Sequence, residues 1–283
     1  MDAHDRSSLP RRASPHQRAA LPHAVDATAA LEPIFFKVLE HGLSELALPL
    51  DDARRDAIAG HVRLLLAWNE HINLSGLRTA EQIARGHVLD ALLAVSQLRD
   101  LAGDGPSMLD LGSGGGFPGL PLAIALPARR ATLVDSIGKK AAFLEVAAAT
   151  VAPLVQVDAL AERAEDLADE HDQREAWDIV TARAVGSVVE VAELGLPLVR
   201  VGGHVVVWKS AGSDEGAAKL ETEVADAARL SRTVGGNTPR VVALPAADRL
   251  GLPGRCLVVI EKIRHTPDGY PRGAGERRRR PLG

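Results

Sequence analysis

The sequence predicts an α/β fold: a doubly wound, mostly parallel sheet of seven strands, one of them antiparallel, preceded by a unit made of helices. Three observations carry that expectation. From Pro33 to about Gln97 the pattern is helical alone; after LAGDGPS short β-like runs alternate with helical stretches; and the first strand-to-helix junction is a dense glycine turn, DLGSGGGFPG.

The first 30 residues are rich in Pro, Arg, Ser and Ala without periodicity, and the composition predicts a disordered basic extension there. From Pro33 to about Gln97 the pattern is helical. Ile58, Val62, Leu65, Leu66 and Asn69 recur at spacings of three and four, the signature of one buried helix face, and EQIARGHVLDALLAVSQL continues it. Three or four helices fit this span. The strand-like runs follow at 107–111, 131–135, 154–158, 177–182, 204–209, 240–244 and 255–262. The first five are separated by helical segments, which implies right-handed βαβ units. Only PAADRLGLPG joins the last two, too short for a helical crossover, so they are expected to pair antiparallel at one end of the sheet. The resulting division is an extension over 1–30, a helical unit over 31–100 packed on the domain that follows, the sheet domain over 101–264 and a basic tail over 265–283.

Composition narrows the chemistry. Among 283 residues there is one cysteine, Cys256, which excludes an internal disulfide and any multi-cysteine metal site and fits a reducing compartment. The single tyrosine, Tyr270, lies in a Pro/Gly/Arg-rich tail and argues against enzymes built on a central catalytic tyrosine. No histidine spacing suggests a metal site, and no apolar run is long enough to span a bilayer, so a cytoplasmic protein is expected. The net charge of -4 conceals an uneven distribution. Residues 262–283 carry seven cations against Asp268 and Glu276, and residues 1–23 carry four arginines against Asp2 and Asp5, which leaves the body between them strongly acidic.

The glycine turn invites a nucleotide. Gly112, Gly114, Gly115 and Gly116 permit a tight turn and close backbone approach to a ligand. Taken from Gly114 the string satisfies the dinucleotide pattern GxGxxG, with Gly119 as its third glycine; taken from Asp110 it is the DxGxGxG turn that binds S-adenosylmethionine. A carboxylate at Asp110 would repel a pyrophosphate and could stabilise the cationic methionine end of S-adenosylmethionine, directly or through water. Asp135 ends the second strand, where a carboxylate can accept both ribose hydroxyls, a role common to both ligand classes. Ala164 and Glu165 follow the third strand, placed either to face adenine or to open a solvent-facing helix.

These residues resemble a known family. DLGSGGGFPGLPLAIALP, TLVDSIGKKAAFLE, DIVTARAV and VVVWKS, with WNEHINLSGLR and HVLDALLAV upstream and a basic ending, look like the RsmG (GidB) family of bacterial 16S rRNA guanine-N7 methyltransferases that act on guanine 527. The likeness runs from about Trp68 to Leu282. It implies a Rossmann-like class I methyltransferase fold, S-adenosylmethionine contacts from Gly112, Gly114 and Phe117 in the turn, Asp135 on the ribose, Ala164 and Glu165 at the adenine, and Arg183 at the mouth of the site. It also implies 16S rRNA as substrate, in a small-subunit assembly intermediate, and a monomeric enzyme. Ser75 and Ala91 depart from the family pattern, which has a threonine and a serine there.

Guanine N7 carries a neutral lone pair, so methylation needs no proton removed first, and alignment and electrostatics suffice. Arg183, at the carboxyl end of a central strand, and Lys209, at the end of the fifth, are the residues expected to position substrate. Each has a structural alternative: an ion pair with a sheet-edge carboxylate for Arg183, and a surface lysine for Lys209. His87 and Asp90, with Asn73, are expected to tie the helical unit to the sheet, the alternative being a cover over the cleft. Lys139, Lys140 and the basic ends are the remaining cations offered to RNA. The alternatives that stay open are methylation of a small molecule, a nicotinamide-dependent reductase, which the lack of a YxxxK pair disfavours, and a non-enzymatic RNA-binding module.

Overall fold

The computed structural model describes residues 21–280. The helical unit consists of α1 (Pro33–Glu45), α2 (Asp52–Asn69), α3 (Ala80–Ile83) running through a π-helical stretch (Ala84–Leu89) into α4 (Asp90–Leu92), and α5 (Val95–Ala102). Local chemistry sets the boundaries. Pro33 occupies the first turn of α1, the Asp51 carboxylate accepts from the Arg54 amide at the start of α2, and Thr79 and Gln82 form a reciprocal capping box on α3.

The sheet domain follows as β1 (Ser107–Leu111), α6 (Gly119–Ala125), β2 (Arg130–Val134), α7 (Gly138–Val151), β3 (Val157–Leu160), α8 (Ala164–Leu167), β4 (Trp177–Arg183), α9 (Val188–Gly195), β5 (Val199–Ser210), α10 (Asp214–Val234), β6 (Arg240–Ala243), α11 (Ala246–Arg249), β7 (Arg255–Glu261) and α12 (Ala274–Arg279). Spatial order is β3-β2-β1-β4-β5-β7-β6, with β7 antiparallel to both its neighbours and every other pairing parallel. The α/β class, the seven strands and the reversed strand are thus as the sequence predicts. Order reverses between β1 and β4, and their carboxyl ends open the crevice where such sheets bind ligands.

Two strands start three or more residues away from where the sequence places them. The third strand starts at Val157 because Leu154 and Val155 are held in the turn closing α7, both amides donating to the Val151 carbonyl. The fifth begins at Val199, since Gly203 lets it continue close against β4: a Cβ there would lie 2.7 Å from the Asp178 carbonyl oxygen.

Each face of the sheet has its own core. On one face Leu122, Phe143, Leu144, Val206 and Val259 pack with Phe35, Ile58, Leu65, Trp68, Ile83 and Leu92 of the helical unit. On the other, α9 and α10 cover Val180, Val205, Val207 and Val258. Continuity of the first core fixes the helical unit over the mouth of the crevice, since burial of this apolar surface drives the docking.

Both ends of the described chain are better ordered than the composition suggests. Residues 21–30, expected within a disordered extension, pack on α2: Trp68 Nε1 donates to Pro22 O (2.8 Å), and Arg63 donates to Ala29 O (2.9 Å) and Thr28 O (2.7 Å). The rest of that expectation, residues 1–20, lies outside the described residues. Residues 265–280, expected as a tail, are fastened to the body. Arg174 donates to Tyr270 O (3.0 Å), the Thr266 amide donates to Glu175 (2.8 Å), and buried Lys262 bridges Glu175 (2.7 Å), Thr266 Oγ1 (2.9 Å) and Leu196 O (2.6 Å).

Candidate active site

The turn after β1 is shaped by three glycines with positive φ, Gly112 (64°), Gly114 (55°) and Gly116 (85°). Space is as restrictive as dihedral angle: a Cβ at Gly112 would lie 2.7 Å from Val185 Cγ2, and one at Gly116 would lie 2.8 Å from His61 Nε2. Asp110 holds the turn from beneath. Thr181 Oγ1 of β4 donates to one carboxylate oxygen (2.6 Å), and the Gly119 amide at the start of α6 donates to the other (3.2 Å). Burial pushes the Asp110 carboxyl up to about 6, against the pull of Thr181, Ser113 and Gly119. Asp110, expected to stabilise the cationic end of the ligand directly or through water, is buried beneath the turn. The carboxylate is turned into the sheet, outside the cleft wall, and serves as a brace.

Asp135 directly follows β2 beside the turn. Its two oxygens accept from the Gly114 amide (3.0 Å) and the Ile137 amide (2.9 Å), and Lys140 Nζ lies 3.9 Å away. Beside it opens a cleft of about 550 Å³, within the range of small-molecule sites. Glycines 112, 114 and 115 and Phe117 form one wall, Arg183, Trp208 and Lys209 another, and Ser75 and His87 of the helical unit the third. Such a backbone-lined cradle beside a carboxylate fits a nucleoside ligand: a Cβ at Gly114 would meet no side chain closer than Asp135 Oδ2 at 4.0 Å.

A chain of polar contacts crosses from the helical unit into the sheet. Asp90, fully buried, receives Arg183 Nη1 on one oxygen (2.8 Å) and lies 2.6 Å from Arg255 Nε on the other. Its carbonyl accepts from Trp208 Nε1 (3.0 Å). Arg183 Nη2 lies 2.8 Å from His87 Nδ1. A guanidinium only donates, so Nδ1 accepts, and His87 Nε2–H then donates to Ser75 Oγ (2.7 Å). Burial first, and the Arg183 charge second, push His87 down to about 3, keeping it neutral. Phe117 lies between two imidazoles, with ring centroids 4.6 Å from His61 and 4.8 Å from His87. His61 Nε2 is 2.7 Å from Gly115 O, and burial pushes that residue down to about 4. The arrangement can hold a group that accepts hydrogen bonds from Arg183, but offers no free base.

Of the residues singled out from sequence, Gly112, Gly114, Phe117, Arg183 and Lys209 share this cleft. Lys209 is also committed to Glu223 (2.6 Å) and to Gly186 O (3.2 Å). Ala164 and Glu165 lie outside the cleft wall, and Glu165 is paired with Arg277 (3.2 Å). The expected tie between helical unit and sheet is made by His87 and Asp90, whereas Asn73 has an exposed contact with Arg78 (3.3 Å). Arg255, Trp208 and His61 escaped the sequence reading. For Arg255 the signal was available: a reversed last strand starts at the edge where the parallel strands end. Among the described residues no group of three or more His, Cys, Asp or Glu could hold a metal ion, and no helix is long and apolar enough to cross a membrane.

Residues 54–239 match the family model described as GidB, rRNA small subunit methyltransferase G. The chain belongs to this family. It is 41% identical over 236 residues to the ribosomal RNA small subunit methyltransferase G of Roseiflexus sp. (strain RS-1), covering 83% of this chain and 94% of that protein. Its similarity to the protein of the same name from Alkaliphilus oremlandii (strain OhILAs) is 34% over 247 residues, 87% and 98% of the two chains. Among solved structures it is similar to the Haloferax volcanii complex of the Trm112 methyltransferase activator and a putative methyltransferase, with a TM-score of 0.49 and 14% identity over 71% of this chain and 98% of that one.

Proposed function

We propose that this chain transfers the methyl group of S-adenosylmethionine to N7 of guanine 527 in 16S rRNA. The observation that carries the reading is one cavity in which the glycine cradle and Arg183 face each other in a chain of this family. S-Adenosylmethionine, when bound, supplies a methyl carbon activated by its sulfonium. Gly112 and Gly114 would take its backbone-facing side, and Asp135 its ribose. Ala164 and Glu165 would take its adenine, once Glu165 exchanges Arg277 for it.

The acceptor requires no proton removal, and the residues agree with that. The His87 lone pair is taken by Arg183, and the Lys209 ammonium is tied to Glu223. Positioning falls to Arg183. Three contacts fix it, to Asp90, Gly86 O and His87, while N–H donors remain for guanine O6 or a phosphate. Lys209 adds positive charge on the same wall. The substrate is a small-subunit assembly intermediate presenting an unstacked loop guanine, met by a monomeric enzyme in the cytoplasm.

The test compares 16S rRNA from cells with and without the gene by chemical strand scission at N7-methylguanine. Scission at guanine 527 that disappears with the gene supports the reading. Scission unchanged at that position contradicts it, and methylation of free metabolites with rRNA ignored would transfer the activity to a small-molecule acceptor.

A further inference from the structure

A second cavity, of about 410 Å³, lies beyond the segment that follows β4. Its walls carry Arg163, just before α8, Ser187 and Glu190 at the start of α9, and Arg272, Arg277 and Arg278 of the C-terminal segment. The segment 184–187 separates it from the cleft, with Ala184 and Gly186 on the cleft side and Ser187 on the other.

Four guanidinium groups around one cavity need an account. Arg272 is spent structurally: it grips Glu193, 3% exposed in its side chain, through Nε and Nη2, each at 2.7 Å. Arg277 gives Nη2 to Glu165, yet its Nε is buried without a hydrogen-bond partner among the described residues. The ion pairs in this cavity are those of Arg272 and Arg277. Arg163 and Arg278, both exposed, have no acidic partner among the described residues. Planar guanidinium forks converging on a small cavity match the oxygens of a phosphodiester.

We propose that this cavity seats a backbone phosphate of the RNA, beside the nucleotide whose base enters the cleft. The proposal deepens the functional reading above and rests on it, since it presumes an RNA acceptor. Arg163 and Arg278 supply the charge and Ser187 a hydroxyl, while the shared wall 184–187 fixes the offset between phosphate and base.

The test uses the full chain and small-subunit particles isolated from cells lacking it. Arg163→Gln with Arg278→Gln removes two exposed cations without touching a buried pair; Arg279→Gln with Arg280→Gln removes the same charge outside the cavity. The cavity variant is expected to raise the KM for particles about tenfold with kcat kept, and to flatten the log affinity against log salt slope by about 1. The control variant changes KM less than threefold. An unchanged KM and slope in the cavity variant, or equal changes in both variants, overturns the seat. Should the unsubstituted protein transfer no methyl group to the particles, the functional reading fails, and the seat is then decided by the salt slopes of binding alone.

Discussion

Replacing Asp90 by asparagine tests how the helical unit holds the working arginine. The carboxylate is fully buried, with Arg183 Nη1 at 2.8 Å and Arg255 Nε at 2.6 Å on its two oxygens, and their side chains are 14% and 29% exposed. An amide neutralises the charge and must turn an NH2 group toward one of these donors. Removing one member of a buried ion pair costs about 3–5 kcal/mol, and Asp90→Asn is expected to fall in that range in urea denaturation at pH 7.5. Arg255→Met added to it removes one stranded cation and recovers about 1–2 kcal/mol. Methyl transfer per folded molecule should drop about 100-fold, because a displaced Arg183 no longer presents the acceptor, while S-adenosylmethionine binding by calorimetry changes little. A stability loss below about 1 kcal/mol, or methyl transfer within a factor of three of the original, refutes the reasoning.

Three further predictions follow from the turn and its supports. His61 has a folded pKa of about 4 against 6.5 in the unfolded chain, so the unfolded state takes up the proton first; stability present above pH 6.5 is lost as pH falls toward 4, by about 3 kcal/mol. His61→Gln keeps a donor toward Gly115 O and should flatten that acid slope in denaturation curves, leaving the share of His87; an unchanged slope counts against the assignment. Gly112→Ala forces a side chain at φ 64° against Val185 and is expected to weaken S-adenosylmethionine binding at least tenfold and cost about 1–3 kcal/mol, with unaltered calorimetric affinity as the contrary result. Asp110→Asn offers a single acceptor where Thr181 and Gly119 both donate, and should cost about 1–3 kcal/mol in urea denaturation; no loss would show that the brace is dispensable.

Periodicity and glycine placement made the sheet legible, because a buried strand such as β1 must be apolar throughout and a turn at positive φ favours glycine. The misplaced start of β3 reflects a limit of such patterns: Leu154 and Val155 have strand-like side chains, yet the carbonyls at the end of α7 capture their amides. The lining of the cleft was legible where chemistry is local, as in Gly112, Gly114 and Phe117. The setting of Asp110 was not legible, because strand position alone does not say which way its oxygens turn, and Thr181, the partner that turns one of them, is 71 residues distant in sequence. Arg272 and Arg277 likewise looked like tail residues, since nothing local reveals that Glu193 and Glu165 await them.

The most direct test of the central claim incubates the purified protein with methyl-labelled S-adenosylmethionine and small-subunit particles from cells lacking it, then identifies the labelled nucleoside and its position. Label in N7-methylguanosine at guanine 527, lost in Arg183→Gln, is the result expected. Label in a different nucleoside or position, or label retained in full by Arg183→Gln, would contradict the account.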